Sequence, residues 1–361
     1  MNKIKVGVLG ATGMVGQNYL RLLDDHPWYE VTYVAASPRS AGKKYSEAVE
    51  GRWLMSTPIP DQYKDLMVGD AGDIDSALGK CNLVFSAVSL DKAKVKELEK
   101  AYASKGFAVV SNNSAHRHTA DVPMLIPEVN FDHIDIIPAQ RKNYGWDTGL
   151  IAVKPNCSVQ SYVTPVYALR EKGYDIEEMI VTTMQAISGA GYPGPSSYDM
   201  LDNVVPFIGG EEEKSEVEPQ KILGNIEDGK FIYDESIQIS AHCNRVPVID
   251  GHTACVSMKF KGKKPEINEI VHIWEGFRSV PQELDLPTAP VQPIIVRHEV
   301  DRPQPRRDRD KDKGMAVSVG RLRECNVFDY RFVGLSHNTV RGAAGGAILM
   351  AELLTAKEYI K

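Results

Sequence analysis

The chain has 361 residues, 43% of them hydrophobic and 25% charged, with a formal net charge of −6. That length exceeds one ordinary core and suits two domains of globular composition. No apolar run reaches membrane-spanning length, and the acidic balance argues against a nucleic-acid partner, so neither membrane nor nucleic acid is expected.

In chain order, Ile4–Leu9 is a short apolar run ending at glycine. It follows the first residue so closely that no signal or transit segment is expected. Met14–Leu23 carries Val15, Tyr19, Leu20, Leu22 and Leu23 at helical spacing. Val31–Ala36 and Leu83–Ala87 predict strands, Lys92–Lys105 a charged helix, and Ala108–Val110 a further strand. Strands alternating with helices imply parallel βαβ units, hence a doubly wound, Rossmann-type α/β domain. Near Leu150 the pattern changes. Ile151–Val153 predicts a strand and Ser158–Glu171 a helix. Met179–Gln185, Ser236–Ala241, Thr253–Phe260, Val291–His298 and Ala316–Arg323 then predict strands with few helices between them. They describe a second, α+β domain with a mixed or antiparallel sheet. The run Arg302–Lys313 (RPQPRRDRDKDK) reads as a solvated charged loop. Thr339–Ile360 predicts a long helix that packs back on the first domain. The expected division is 1–155 plus 338–361 for one domain and 156–337 for the other.

Gly10-Ala11-Thr12-Gly13-Met14-Val15-Gly16 lies between the first strand and the first helix. Glycines there allow a tight turn, and the helix N-terminus offers N–H groups and a positive dipole to a pyrophosphate. The spacing is GxxGxxG rather than GxGxxG, but its place at the first βα junction points to a dinucleotide. An NAD site would carry Asp or Glu at the end of the second strand, bonded to the ribose 2′-hydroxyl. Here that strand runs into Ser37-Pro38-Arg39-Ser40, with Lys43 and Lys44 beyond and no carboxylate before Glu47. Hydroxyls and a guanidinium suit a 2′-phosphate, so the cofactor is read as NADP. The expected cofactor set is Gly10, Thr12, Gly13, Met14, Val15, Ser37, Arg39 and Ser40, with Ser86.

The five cysteines, Cys81, Cys157, Cys243, Cys255 and Cys325, are scattered without a CxxC pair. Such usage fits a reducing cytoplasm rather than a disulfide framework. Only Cys157, in Pro155-Asn156-Cys157-Ser158, falls between a strand and a helix. A helix N-terminus lowers a thiol pKa and offers N–H groups to an oxyanion, so Cys157 is the candidate nucleophile. His252, after an Asp250-Gly251 turn, is the candidate proton donor and acceptor. His116 and His118 form an HxH pair with no third ligand at suitable spacing, and no metal site is expected.

Together these motifs resemble the aspartate-semialdehyde dehydrogenase family, in its archaeal and fungal branch. The likeness runs through the whole chain: GATGMVGQ, ASPRSAGKKY, SNNSAHR, PNCS, QAISGAGYPG, VVPFIGGEEEKSEVEPQKIL, CNRVPVIDGH, DRPQPRRDRD and LSHNTVRGAAGGA. The resemblance implies that Cys157 forms an acyl-thioester, with His252 as acid/base and Gln185 beside the nucleophile. It implies Arg245 for the substrate α-carboxylate, Glu218 for its ammonium, and Lys221, Asn113 and Arg117 for phosphate. Family members of this branch often have Asn-Ala in the SNNSAHR stretch, so Asn112 and Asn113 both stand as candidates. Ser188, Gly189 and Asn338 match residues beside the nicotinamide. Arg, Glu and Lys plus Arg together complement the carboxylate, ammonium and phosphate of aspartyl phosphate.

The implied activity is NADPH-dependent reductive dephosphorylation of aspartyl phosphate to aspartate semialdehyde, in biosynthesis of lysine, methionine, threonine and isoleucine. The implied assembly is a homodimer or homotetramer. Alternatives are a malonyl-CoA or succinyl-CoA reductase, an N-acetylglutamyl phosphate reductase, and a non-catalytic NADP-binding sensor.

Overall fold

The computed structural model describes residues 3–361. Six parallel strands form the first sheet: β1 (Ile4–Leu9), β2 (Tyr29–Ala36), β3 (Val68–Asp70), β4 (Leu83–Ser86), β5 (Ala108–Ser111) and β6 (Leu150–Val153). Their order is β3-β2-β1-β4-β5-β6. Chain direction across the sheet reverses between β1 and β4, so a crevice opens at their carboxyl ends. The Met14–Leu22 helix leaves β1 through the glycine turn and buries Tyr19 and Leu20. The Lys92–Ser104 helix is capped by Asp91, whose carboxylate accepts the Lys94 N–H at 3.0 Å.

The second sheet is mixed. It comprises β7 (Ile176–Gln185), β10 (Gln238–Arg245), β11 (His252–Phe260), β12 (Ile294–Arg297), β13 (Val317–Glu324) and β14 (Tyr330–Ser336), in the order β10-β7-β11-β14-β13-β12. A small hairpin, β8 (Asn225–Glu227) and β9 (Lys230–Ile232), stands apart from it. One face of the second sheet buries Met179, Val181, Val256, Met258, Val319 and Phe332 with Val163, Val166 and Trp274. The other leaves Ile180 42% exposed, with Cys255 exposed on the neighbouring strand.

The chain ends in the Gly345–Ala356 helix, whose residues 345–354 are all buried. A helix apolar all round is a core element. Ala347, Ile348, Ala351 and Leu354 share one core with Val6 and Val8 of β1 and Val34 of β2, so the return to the first domain is as expected. Among the described residues no helix is long and apolar enough to cross a membrane.

Four readings from sequence need correction. The expected helix from Thr339 is irregular through Val340–Ala344, where Ala343 leaves helical geometry at φ −142°. The expected helix from Ser158 is a short 3₁₀ turn (Val159–Ser161), then a kink at Tyr162, then a regular helix over Val163–Glu171. Strand β14 was not anticipated, because Gly334 interrupts its side-chain pattern. That glycine admits the Ser161 carbonyl, which would lie 2.0 Å from a Cβ. Finally, Arg302–Lys313 is not a solvated loop. Arg302 Nε donates to Asp308 Oδ2 at 2.6 Å, and Asp308 is 1% exposed. A charge run hides such internal pairing because composition does not show which charges turn inward.

Candidate active site

A cleft of about 1190 Å³ runs across the carboxyl ends of the first sheet. Gly10, Thr12, Gly13, Met14, Val15, Ser37, Arg39, Ser40, Ser188 and Gly189 all line it. Gly10 has φ +81°, and a Cβ there would meet the Ala87 carbonyl at 2.3 Å, so only glycine fits this turn. Lys43, noted beyond Ser40 in the sequence, lines it as well, and the sequence reading missed Arg52, Asp70 and the Ala87–Leu90 segment, which also line the cleft. Two expected members do not line it. Ser86 is fully buried beneath the floor, where its hydroxyl accepts the Asn113 amide at 3.2 Å. Asn338 is 2% exposed and acts as a brace: it donates to Ser188 Oγ and accepts the Gly251 N–H, both at 2.8 Å.

The far end of the cleft closes on Gly189. A Cβ there would lie 2.8 Å from Arg245 Nη1 and 3.0 Å from His252 Cε1 and Nε2. The cofactor cleft and these two side chains therefore meet at one glycine. Arg245 ends β10, and His252 begins β11 after the Gly251 turn. The guanidinium donates Nη1 to the Ala186 carbonyl at 2.8 Å and has no carboxylate partner among the described residues. His252 is fully buried, and its Nδ1 accepts the Ala186 N–H at 3.0 Å. A neutral imidazole that accepts at Nδ1 carries its proton on Nε2. Nε2 is buried without a protein partner. Burial, with Arg245 nearby, pushes the imidazole down to about 3, so it stays neutral at physiological pH.

Cys157 is partly exposed at the start of the 3₁₀ turn. Its thiol is not depressed as the helix-terminus argument expected. Desolvation, and next the Glu211 carboxylate, push it up to about 12 against the pull of Arg117, Arg245 and Lys154. The physical reason lies in the local fold: the regular helix begins only at Val163, too far along to act on the sulfur.

The Glu211–Ile222 helix carries the largest departure from expectation. Glu218 is fully buried and its carboxylate is committed to scaffold. Oε1 accepts Arg117 Nη1 at 2.8 Å, and Oε2 accepts the Asn156 N–H at 2.5 Å. Lys221 is fully buried as well, and its Nζ donates to the carbonyls of Arg117, Thr119 and Val122 at 2.6, 3.1 and 2.9 Å. Three donors are thus spent on backbone, and none is left for phosphate.

Two turns earlier, Glu211 and Lys214 repeat the same spacing at the site itself. Glu211 accepts four bonds: two from Asn156 Nδ2, one at each carboxylate oxygen and both at 2.9 Å, one from Gln185 Nε2 at 3.1 Å, and one from Lys214 Nζ at 2.7 Å. Burial raises this carboxyl, but Lys214, Asn156 and Gln185 hold it net below the ordinary range. Gln185 and Asn156 therefore tie Glu211 to the residue beside Cys157. Sequence reading missed Glu211, Lys214 and Asn156. The available signal was that EEEKSEVEPQK holds the Glu-x-x-Lys spacing twice.

Asn113 also departs from expectation. Its amide donates to Ser86 and to Glu99 Oε1 at 3.1 Å, away from phosphate work, while Asn112 donates to the Tyr19 hydroxyl. Arg117 donates Nε to the Lys154 carbonyl at 2.9 Å and Nη2 to the Asn112 carbonyl at 3.3 Å. Each terminal nitrogen of Arg117 keeps one further N–H. No His, Cys, Asp and Glu cluster among the described residues could hold a metal ion.

Comparison with known proteins agrees with this layout. Residues 5–137 match the semialdehyde dehydrogenase NAD binding domain, and residues 166–341 match the semialdehyde dehydrogenase dimerisation domain. The aspartate-semialdehyde dehydrogenase of Archaeoglobus fulgidus is 46% identical, over 99% of this chain and 100% of that protein. That of Trichophyton rubrum is 45% identical over 99% of each. The crystal structure of the Candida albicans aspartate-semialdehyde dehydrogenase with NADP superposes with a TM-score of 0.90, at 42% identity, over 99% of this chain and 100% of that one. Near-complete coverage at such identity extends the likeness from one domain to both, and the chain belongs to the aspartate-semialdehyde dehydrogenase family.

Proposed function

We propose that this chain reduces L-4-aspartyl phosphate to L-aspartate 4-semialdehyde with NADPH, through a thioester on Cys157, in amino-acid biosynthesis. The observation that carries the reading is Gly189, where the dinucleotide cleft abuts Arg245 and His252. Residues 1–155 with 338–361 serve as the cofactor unit, and residues 156–337 as the catalytic unit.

The cleft fits NADP by its shape and chemistry. The Gly10 turn lets backbone approach a pyrophosphate, and Ser37, Arg39 and Ser40 with Lys43 meet a 2′-phosphate. When bound, NADPH supplies the hydride. The chain's own residues do the rest. Arg245, which has no carboxylate partner, takes the substrate α-carboxylate. Glu211 takes the ammonium, and Lys214 with Arg117 takes the phosphate. In place of the pair Glu218 and Lys221, the turn bearing Glu211 and Lys214 is thus assigned to substrate. The Cys157 thiol gives up its proton as its sulfur attacks the acyl carbon, the S–C bond forms, the C–O bond to phosphate breaks, and the departing phosphate carries that proton away. His252 Nε2–H, unpartnered and neutral, donates to the oxygen that gains negative charge at the acyl carbon. After reduction at that carbon, the S–C bond breaks, the aldehyde leaves, and the released Cys157 sulfur takes a proton from solvent. Gln185 and Asn156 hold Glu211 in place throughout.

The dimerisation-domain match and the open face of the second sheet, with Ile180 and Cys255 exposed, support a homodimer as the smallest assembly. Light scattering separates dimer from tetramer. Five free cysteines support a cytoplasmic location.

The test is spectrophotometric. Aspartate semialdehyde, phosphate and NADP should give absorbance from reduced cofactor, and NAD much less. Cys157→Ala should abolish the signal while NADP still binds. Activity retained in that variant, or none in the native protein, would overturn the reading.

A further inference from the structure

The charged run Arg302–Lys313 lies against the turn that precedes His252. Two aspartates pin the run itself. Asp308 Oδ2 accepts the Gln304 N–H at 2.7 Å, and Asp312 Oδ2 accepts the Gln292 N–H at 3.1 Å. Between those two anchors, the short helix Pro305–Asp308 and Arg309 cover Gly251. A Cβ at Gly251 would sit 3.2 Å from Pro305 Cβ and 3.3 Å from Arg309 Cβ.

The Asp250–Gly251 peptide is held at both of its polar atoms. Its carbonyl accepts Arg309 Nη1 at 3.0 Å, and its N–H donates to Asn338 Oδ1 at 2.8 Å. This peptide needs holding more than most. Gly251 has φ +102°, and glycine tolerates either sign of φ, so the peptide before it can turn over at low cost. Turned over, it would lose both bonds. The same turn carries two parts of the site. The Val248 and Ile249 carbonyls accept the Ile187 and Ser188 N–H groups at 2.7 and 3.1 Å, which fixes the cleft wall next to Gly189. His252 follows directly, with Nδ1 accepting the Ala186 N–H.

We infer that Arg309 is a positioning residue: by holding the Asp250 carbonyl it locks the Asp250–Gly251 peptide and so keeps His252 Nε2 aimed at the reacting oxygen. The inference rests on His252 being the proton donor. Arg309 itself does not line the cleft, so it acts through the turn and not on substrate. Nor is its guanidinium spent elsewhere. Among the described residues it makes one hydrogen bond, the one to Asp250. Its Nε is buried without a hydrogen-bond partner, and the Asp310 carboxylate stands 3.6 Å from that atom and is exposed. Such an ion pair adds little stability, whereas a charged donor on a carbonyl makes one of the stronger hydrogen bonds. Arg309 and Asn338 thus grip one peptide from opposite ends, and Asn338 carries the grip on to Ser188.

The test separates kcat from KM. In Arg309→Met, kcat for aspartate semialdehyde oxidation should fall about tenfold, while KM for aldehyde and for phosphate stays within about twofold of native. An unchanged kcat in the folded variant, or a loss carried by KM, overturns the inference. Should that variant fail to fold, Arg309→Gln is read in the same way with the same two outcomes, because its shorter side chain keeps a polar tip but falls short of the carbonyl. A double-mutant cycle adds a readout that a merely structural role would not move. In a His252→Ala background, Arg309→Met should change the residual rate by less than about twofold, since the ring it positions is gone. A second tenfold loss there overturns the inference, because Arg309 would then act on something other than His252. Failure of the proton-donor reading is separate, because it shows as native turnover in His252→Ala alone.

Discussion

One helix carries the same pair of residues twice, and the two copies do different work. Glu211 and Lys214 sit beside Asn156 and Gln185, next to Cys157, whereas Glu218 and Lys221 lie buried against backbone and Arg117. Seven residues are about two turns, so both pairs point to one side of the helix. What separates them is depth. The first pair is the mouth of the site and the second is its foundation. A Glu-x-x-Lys spacing therefore names a helix face but not a function.

The largest effect should come from breaking the foundation. Lys221→Met leaves three buried carbonyls without their donor, at a cost of about 3 kcal/mol or more. Thermal melting should show a clear fall. There is a pH signature too. Lys221 titrates at about 7 when folded and at 10.5 as a free side chain. The unfolded chain then binds more protons between those values, so this group adds a rise in native stability across that window. The variant should lose that rise. A variant that melts like the native protein would make the two pairs equivalent and undo the contrast.

Glu211→Gln should do the reverse. It keeps the shape but removes the charge meant for the substrate ammonium. We expect kcat/KM to drop on the order of a hundredfold, or about 2.7 kcal/mol, with the melting temperature nearly unchanged. A stability loss comparable to that of Lys221→Met would place Glu211 in the foundation instead.

How much of this was legible in the sequence follows the same division. The cofactor loop was readable because backbone demands, such as the positive φ of Gly10, leave glycines at fixed places after a strand. Cys157 was found from its place between a strand and a helix and His252 from its place at the start of a strand, whereas Arg245 came from the family resemblance. The thiol's environment was not readable. Its placement near a helix start suggested a lowered pKa, but the kink at Tyr162 and the desolvation of the sulfur belong to tertiary packing. Likewise Glu218 and Lys221 were matched through the resemblance and Glu211 and Lys214 were missed, because burial is invisible in a charge pattern. The inward Arg302–Asp308 pair was lost to the same cause, and strand β14 to the glycine that interrupts its side-chain pattern.

Lys214→Met sharpens the comparison within the mouth itself. Lys214 holds Glu211 at 2.7 Å and is 26% exposed, so it can reach an incoming anion. Its loss should weaken apparent phosphate affinity in the aldehyde-oxidising direction about tenfold, with a smaller effect on NADP affinity. Equal losses for phosphate and NADP, measured in separate titrations, would remove it from the phosphate site.

The smallest effect is also the one with an unexpected sign. Glu211 is the charge that most opposes ionisation of Cys157. Glu211→Gln removes that opposition, so the thiol should shift down from about 12, and alkylation at pH 8 should speed up by about threefold. In the native protein the rate should still be climbing at pH 10, because the thiolate remains the minor form there. The same variant would thus have a more reactive sulfur and a slower reaction. That combination follows if substrate ammonium normally neutralises Glu211, so that binding itself relieves the sulfur. Slower alkylation in Glu211→Gln would mean that the carboxylate assists the thiol rather than restraining it, and the mouth of the site would need a different division of labour.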